Sequence, residues 1–68
     1  MLNSNAFRGA MVAHGYTQKS LAAYLNMSEN ALSLKIRGKG SFTLDEVEKI
    51  CNAFEIADPA EKCKIFLP

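Results

Sequence analysis

Hydrophobic residues recur along the chain at spacings of three and four, which is the period of an α-helix with one buried face. The first such pattern includes Phe7, Met11 and His14, and Gly15 follows it. The asparagine and serine side chains at residues 3–5 can cap the start of a helix, and glycine favours its end. We therefore predict a first helix that begins within residues 3–5 and ends at Gly15.

Two shorter apolar patterns follow, and each begins at a residue that caps helices well. Thr17 precedes the second pattern and Ser28 precedes the third. Asn26 lies between them and tolerates the left-handed backbone conformation that closes many helices. Gly38 follows the third pattern and opens a glycine-rich loop over residues 38–41. These signals predict helix two from Thr17 to Asn26 and helix three from Ser28 to Gly38.

The fourth helix has the strongest local signals. Thr43 and Glu46 have the spacing of a capping box, in which each side chain bonds the backbone N–H of the other residue. Phe42 precedes the cap and is spaced to contact Val47 as a hydrophobic staple. The buried stripe predicted for this helix comprises Leu44, Val47, Ile50, Cys51 and Phe54.

A fifth helix is predicted from Asp58 toward Phe66. Asp58 and Glu61 repeat the capping-box spacing, and Pro59 occupies the first helical position, where proline is favourable. We find no strand pattern, repeat or interdomain linker, and 68 residues are enough for one modest core. The sequence therefore predicts an all-α protein with a single domain over residues 1–68.

The second and third helices are expected to form one unit. About three residues join them, so the two helices must cross steeply. Ala22 leaves room for the crossing, and Asn26 takes the positive φ that the turn requires. The side chains predicted to fill the angle between the helices are Leu21, Leu25, Met27 and Leu32.

In this unit the sequence resembles the helix-turn-helix domains of the phage-repressor and Cro type, the XRE family. Residues 15–22 (GYTQKSLA) resemble the family's entry into helix two. Residues 37–39 (RGK), followed by 42–44 (FTL), resemble its exit into helix four. The resemblance extends from Phe7 to Phe54. It implies a compact five-helix bundle of the lambda-repressor-like DNA-binding type, in which helices two and three form the helix-turn-helix.

One position departs from the family pattern. Lys35 occupies a position near the end of helix three that is usually apolar, and it lies between Leu34 and Ile36. Two explanations are open: either Ile36 takes over the packing, or the helix ends with a slightly different rotation. The sequence therefore leaves the outward face of residues 33–37 undefined.

The resemblance implies that helix three enters the major groove and presents its first turns to base edges. The predicted base-reading residues are Ser28, Glu29, Asn30 and Ser33. Asn30 is the foremost candidate because its amide can form two hydrogen bonds with adenine; the alternative is an exposed polar residue without a special role. Glu29 could accept from a cytosine amino group or simply complement the helix dipole, and Ser28 is first a cap.

Phosphate contacts are predicted at the start of helix two and around the end of helix three. Gln18 resembles the family's phosphate-binding glutamine, at a helix start where free backbone N–H groups also face outward. Such contacts give affinity and salt dependence but little sequence preference. Positive charge for them is expected from Lys19, Lys35, Arg37 and Lys39.

The distribution of charge supports a polyanionic partner, although the net charge is only +1. Residues 1–41 carry five basic residues against one acidic residue, whereas residues 42–68 carry three basic against six acidic residues. A molecule with a basic front and an acidic back orients itself in the field of DNA. The alternative is a chance scatter of solvated charges.

Little in the sequence points to catalysis, a cofactor or a metal. His14 is the single histidine, and neither Cys51 nor Cys63 lies in a metal-binding or redox motif. Both cysteines fall on apolar helical stripes and are predicted to be buried free thiols. No apolar run approaches the roughly 20 residues of a membrane span, and the start lacks a secretion signal, which favours the cytoplasm.

The sequence thus predicts a transcription regulator, not an enzyme, that reads double-stranded DNA. A palindromic operator and a homodimer are the expected arrangement, and the resemblance adds a repressor of the phage or prophage type. The apolar segment Ile65-Phe66-Leu67-Pro68 is predicted to pack partly on helix one or four and partly on a second copy. This segment and the low net charge leave open a helical protein-interaction module, such as an antitoxin or anti-repressor.

Overall fold

The computed structural model describes residues 2–67. Within that range the chain forms five α-helices and no β-strand, so the predicted all-α architecture is confirmed. None of these helices is long and apolar enough to cross a membrane. In chain order they are α1 (Ser4–Ala13), α2 (Gln18–Tyr24), α3 (Glu29–Ile36), α4 (Leu44–Ala53) and α5 (Pro59–Phe66).

Most helix starts use the side-chain caps that the sequence predicts. The hydroxyls of Thr17 and Thr43 each accept a hydrogen bond from the backbone N–H three residues on, at 3.0 and 3.1 Å. Glu46 closes the second box, because its carboxylate accepts from the Thr43 N–H at 2.9 Å. The capping box predicted at Asp58 is wrong: Asp58 accepts from the N–H two residues on, and Glu61 returns no bond within residues 2–67.

Four helices end in a Schellman motif. In each, the residue after the C-cap has a positive φ, and two successive N–H groups donate to carbonyls of the last helical turn. Glycine and asparagine at such positions are predicted from sequence, whereas a glutamate is not, because its Cβ disfavours this conformation. The four positions are Gly15 (φ 76°), Asn26 (58°), Gly38 (81°) and Glu55 (54°).

The core takes side chains from all five helices and is centred on Phe7. The fully buried Phe7 ring lies 5.6, 5.4 and 6.3 Å from the ring centroids of Phe42, Phe54 and Phe66. This aromatic cluster joins α1 to both ends of α4 and to the end of α5. The other buried core residues are Met11, Leu21, Ala22, Leu25, Leu32, Ile36, Ile50, Cys51, Ile56 and Ile65.

Three residues on the apolar stripes predicted to be buried are exposed: His14, Leu44 and Cys63. Leu44 is the first residue of α4 and is 74% exposed. Cys63 is exposed, whereas Cys51 is buried as predicted, and burial raises the pKa of the Cys51 thiol. The buried side of α5 is marked by Ile65, and Cys63 lies two residues earlier, about 200° around the helix. Cys63 therefore faces away from the core.

The apolar end of the chain packs largely on its own protein. Ile65 is 3% exposed, and its carbonyl accepts a hydrogen bond from the Asn3 N–H at 2.8 Å. Phe66 is half-buried in the aromatic cluster, whereas Leu67 is 73% exposed; Pro68 lies outside the described residues. The predicted packing of this end on α1 is confirmed. Ile65 was predicted to contact a second copy, but it is buried and is not available for that contact.

Candidate nucleic-acid interface

Helices α2 and α3 cross over a short turn made by residues 25–28. The N–H groups of Asn26 and Met27 donate to carbonyls of α2 at 3.1 and 3.0 Å, which closes the turn. Ala22 is 2% exposed and Leu32 is fully buried, while Met27 packs half-buried against the core. The predicted interior of the two-helix unit is therefore confirmed.

The first turn of α3 is open to solvent. The Ser28 hydroxyl accepts from the Ala31 N–H at 3.1 Å, so Ser28 is the cap that the sequence predicts. Ser28, Glu29 and Asn30 are exposed. Ser33 is half-buried and lies one turn further along the helix. Three of the four predicted base-reading residues thus lie together on an accessible helix start.

Gln18 links the starts of the two helices. Its Nε2 lies 3.5 Å from the backbone carbonyl oxygen of Glu29, which makes this a long and weak hydrogen bond. Gln18 is the first residue of α2 and Glu29 is the first residue of α3. The fold therefore brings the residue predicted to bind phosphate to the same edge as the turn predicted to read bases.

Three of the predicted phosphate-binding cations are exposed. Lys19 lies on α2, and Arg37 and Lys39 follow directly after α3. The Arg37 Nε donates to the Ser33 carbonyl at 3.4 Å, which keeps the guanidinium close to the last turns of α3. Within residues 2–67 none of these three side chains forms an ion pair, so their charges are not neutralised by the protein.

Lys35 is the exception among the predicted cations. Its ammonium Nζ lies 2.7 Å from Glu46 Oε1 on α4 and 5.7 Å from the centre of the Phe42 ring. Ile36 beside it is fully buried. Of the two explanations for the unusual lysine, packing by Ile36 is therefore the one observed, and the Lys35 side chain turns toward α4.

Two contacts on α3 are not predicted from sequence. The Ser4 hydroxyl on α1 donates to the Ile36 carbonyl at the end of α3. Glu46 is predicted only as part of a helix cap, yet it also binds Lys35. Each contact joins helices that are separated in the chain, and no local spacing marks either of them.

We find no candidate metal site in the described part of the chain. Residues 2–67 contain no group of three or more histidine, cysteine, aspartate or glutamate side chains that could hold an ion. Glu29 is the sole acidic residue of the first 41, and Glu46 on α4 contacts α3 through Lys35. The chemistry of this surface is that of amide, hydroxyl, lysine and arginine side chains, which are the groups that bind phosphates and base edges.

A short first helix, a tight turn and a second helix with an exposed start define the helix-turn-helix class of DNA-binding folds. The helix-turn-helix family of the XRE type matches residues 8–61. The chain therefore belongs to that family, whose members are DNA-binding transcription regulators. No curated protein matches the chain.

Proposed function

We propose that the protein is a sequence-specific repressor of the phage or prophage type that binds a palindromic operator as a dimer, with α3 in the major groove. The observation that carries this proposal is the open first turn of α3. Glu29 and Asn30 are exposed there, and Gln18 lies at the same edge. A helix in the major groove presents its first turns to base edges, so these are the side chains that reach the bases.

Base reading is assigned chiefly to Asn30. Its amide can donate to and accept from one adenine, a pairing worth about 1–3 kcal/mol of discrimination against the wrong base. Ser33 lies three residues on, which puts it on the same face of the helix. Glu29 accepts from a cytosine amino group where one faces it. Ser28 contributes less, because its hydroxyl already caps α3.

Phosphate binding is assigned to Gln18 and to the three exposed cations Lys19, Arg37 and Lys39. Each neutralised phosphate adds about 0.9 to the slope of log affinity against log salt. Three lysine and arginine contacts per protomer therefore predict a slope of about −2.7 for one protomer on its half-site. Lys35 is left out of this set because its charge is paired with Glu46.

Dimerisation is supported by the small size of the domain. One domain of this size covers only a few base pairs, and two-fold symmetry doubles its contacts. Leu67 is 73% exposed, and we assign it to the contact between two copies. Leu44 is an equally exposed leucine, at 74%, and provides a matched control.

Sedimentation equilibrium tests this contact. We expect Leu67→Ser to weaken self-association and Leu44→Ser to leave it unchanged. A wild-type protein that stays monomeric at high micromolar concentration contradicts the dimer, and equal effects of the two substitutions contradict its location.

Selection of bound sequences from a randomised duplex library tests the function itself. We expect a two-fold symmetric consensus with an adenine in each half-site. Asn30→Ala should weaken binding to the selected site at least about fivefold and relax the choice of base at one position per half-site. Asn52→Ala changes an exposed asparagine on α4 and should have no effect. A library without an enriched sequence, or equal effects of both variants, would overturn the proposal.

A protein-interaction module is not favoured as a second function. Its main support was the apolar end of the chain, and that end is largely used within the protein. Ile65 is buried in the core and Phe66 belongs to the aromatic cluster.

A further inference from the structure

The last turn of α3 is attached to α4 by a partly buried ion pair. Lys35 Nζ and Glu46 Oε1 are 2.7 Å apart, and their side chains are only 22% and 19% exposed. The stem of Lys35 lies beside Gly40, where an added Cβ would be 3.6 Å from Lys35 Cγ. The ammonium group also lies 5.7 Å from the centre of the Phe42 ring, within range of a cation–π interaction. Lys35 is therefore held on several sides by the loop and by α4.

Glu46 is a fixed partner for this lysine. Its Oε1 accepts from the Lys35 ammonium at 2.7 Å and from the Thr43 N–H at 2.9 Å. Burial alone would raise the pKa of the Glu46 carboxyl, but the hydrogen bonds and charge of its partners outweigh burial and lower it. Glu46 is consequently ionised at neutral pH. If its carboxylate turns away from Lys35, the hydrogen bond from the Thr43 N–H is also lost, although the Thr43 hydroxyl still caps α4.

The same end of α3 leads into the glycine-rich loop of residues 38–41. The N–H groups of Gly38 and Lys39 donate to the carbonyls of Lys35 and Leu34 at 3.1 and 2.8 Å. The exposed cation Arg37 lies in the chain between Lys35 and Gly38. A change in the position of Lys35 therefore shifts the candidate phosphate contacts as well as the helix.

The distance along α3 from Lys35 to Asn30 is long compared with the length of a hydrogen bond. Asn30 and Lys35 are five residues apart, about 7.5 Å along the helix axis. A tilt of about 10–20° at Lys35 moves Asn30 by about 1 to 3 Å, which is more than a base-specific hydrogen bond tolerates. An attachment at the C-terminal end of α3 therefore acts on the position of Asn30, in addition to the packing of the fully buried Leu32 and Ile36.

We infer that the Lys35–Glu46 pair sets the angle at which α3 meets DNA, so that Lys35 is a positioning residue for Asn30 and not a phosphate ligand. The inference rests on the proposed function. A positioning role differs from a purely stabilising one. Loss of the Lys35–Glu46 pair should then weaken specific DNA binding while non-specific DNA binding persists.

Two near-isosteric substitutions test the inference. Lys35→Met keeps the apolar stem and removes the charge, and Glu46→Gln keeps an acceptor for the Thr43 N–H. We expect each to weaken binding to the selected operator about tenfold, and the double variant to lose little more than either alone, because both remove one interaction. Lys35→Arg keeps a cation opposite Glu46 and should restore most of the affinity.

The salt dependence of binding separates positioning from phosphate contact. Lys35→Met should leave the salt slope unchanged, whereas Lys39→Met should reduce it by about 0.9 per protomer, or about 1.8 for a dimer on its operator. Glu46→Gln removes a negative charge, so a simple electrostatic effect would strengthen its binding to DNA; we expect weaker specific binding instead. Binding to an unrelated duplex should change less than twofold in Lys35→Met and in Glu46→Gln.

Hydrogen exchange of the free protein provides a readout without DNA. The Lys39 amide closes the end of α3, and we expect it to exchange at least about fivefold faster in Lys35→Met and in Glu46→Gln. Circular dichroism at the assay temperature verifies that every variant is folded.

The possible outcomes separate the inference from the function on which it rests. Absence of sequence-specific binding by the wild-type protein overturns both. If the wild type binds its operator, three results each overturn the inference alone: unchanged operator affinity in both variants, a salt slope that falls by about 0.9 per protomer in Lys35→Met, or unchanged exchange at Lys39.

Discussion

The side-chain hydroxyl of Ser4, the first residue of α1, donates a hydrogen bond to the backbone carbonyl of Ile36, the last residue of α3. The carbonyls of a final helical turn have no partner within their own helix. Ser4 therefore supplies from α1 an interaction that α3 cannot supply for itself, and it ties the two helices together.

Replacement of Ser4 by alanine measures how much the Ser4–Ile36 hydrogen bond contributes to the free energy of unfolding. We expect Ser4→Ala to lower the free energy of unfolding by about 1 kcal/mol, because the Ile36 carbonyl lies in a partly buried position and loses its donor. Ser41→Ala alters an exposed loop serine and should cost much less. Urea denaturation measures the stability of both variants. Equal losses of stability in Ser4→Ala and Ser41→Ala would show that the hydrogen bond does not contribute to stability.

The crossing of α2 and α3 should be sensitive to the size of residue 22. Ala22 is 2% exposed, so Ala22→Val should lower the free energy of unfolding by about 1–3 kcal/mol through overpacking. Ala23→Val places the same side chain at the exposed neighbouring position and shares the lower helix propensity of valine. Thermal unfolding of the two variants separates packing from propensity. A loss in Ala22→Val no larger than in Ala23→Val would contradict the tight crossing.

Glu55 holds a backbone conformation that favours glycine. With φ at 54°, its side chain disfavours the conformation that ends α4. Glu55→Gly should therefore raise the free energy of unfolding by about 0.5 kcal/mol or more, even though it removes the 3.5 Å contact with His14. Glu55→Ala removes the same carboxylate but keeps the unfavourable φ. Equal stabilisation in the two variants would assign the gain to the carboxylate and not to the backbone.

The Lys35–Glu46 pair should give the protein a specific acid sensitivity. Because the folded-state pKa of Glu46 is lowered, ionised Glu46 stabilises the fold above the unfolded glutamate pKa of about 4.3. That contribution is lost as the pH falls through the lower pKa of the folded state. Glu46→Gln should thus be less stable than wild type at pH 7, with the difference shrinking below about pH 4.

Urea denaturation at several pH values measures this difference. Glu48→Gln, at an exposed position of α4, is the control and should show a smaller difference at pH 7. A Glu46→Gln variant whose stability deficit is the same at pH 3 as at pH 7 would contradict the role given to the carboxylate.

Local sequence signals predicted the helices and their ends, because the interactions that start and end a helix join residues close together in the chain. The Thr43 cap is completed three residues away by Glu46, and Asn26 closes α2 through its own backbone conformation. The exposed first turn of α3 follows from the same reasoning, since Ser28 caps it and the apolar positions of the helix begin later. The exposed helix start could therefore be predicted from local signals, whereas its assignment to DNA bases depends on the family resemblance.

The error at Leu44 and the unpredicted contacts of Lys35 and Ser4 have a common physical cause. A spacing of three and four gives the angle of a residue around its helix. It does not show whether a neighbouring helix or loop reaches far enough along that helix to cover the residue. Leu44 has the right angle, yet it lies at the first position of α4 and is left uncovered. Lys35 and Ser4 are similar cases, because their partners are 11 and 32 residues away in the chain. Such contacts depend on the packed tertiary structure.

The claim that α3 reads DNA through Asn30 is tested most directly by removing one acceptor atom from the DNA. Each adenine of the selected operator is replaced in turn by 7-deaza-adenine, and affinity is measured for the wild-type protein and for Asn30→Ala. At one adenine per half-site, we expect the change to weaken wild-type binding at least about fivefold and to leave Asn30→Ala unaffected, since the partner of that acceptor is already gone. If no adenine distinguishes the two proteins, Asn30 does not read the operator in this way.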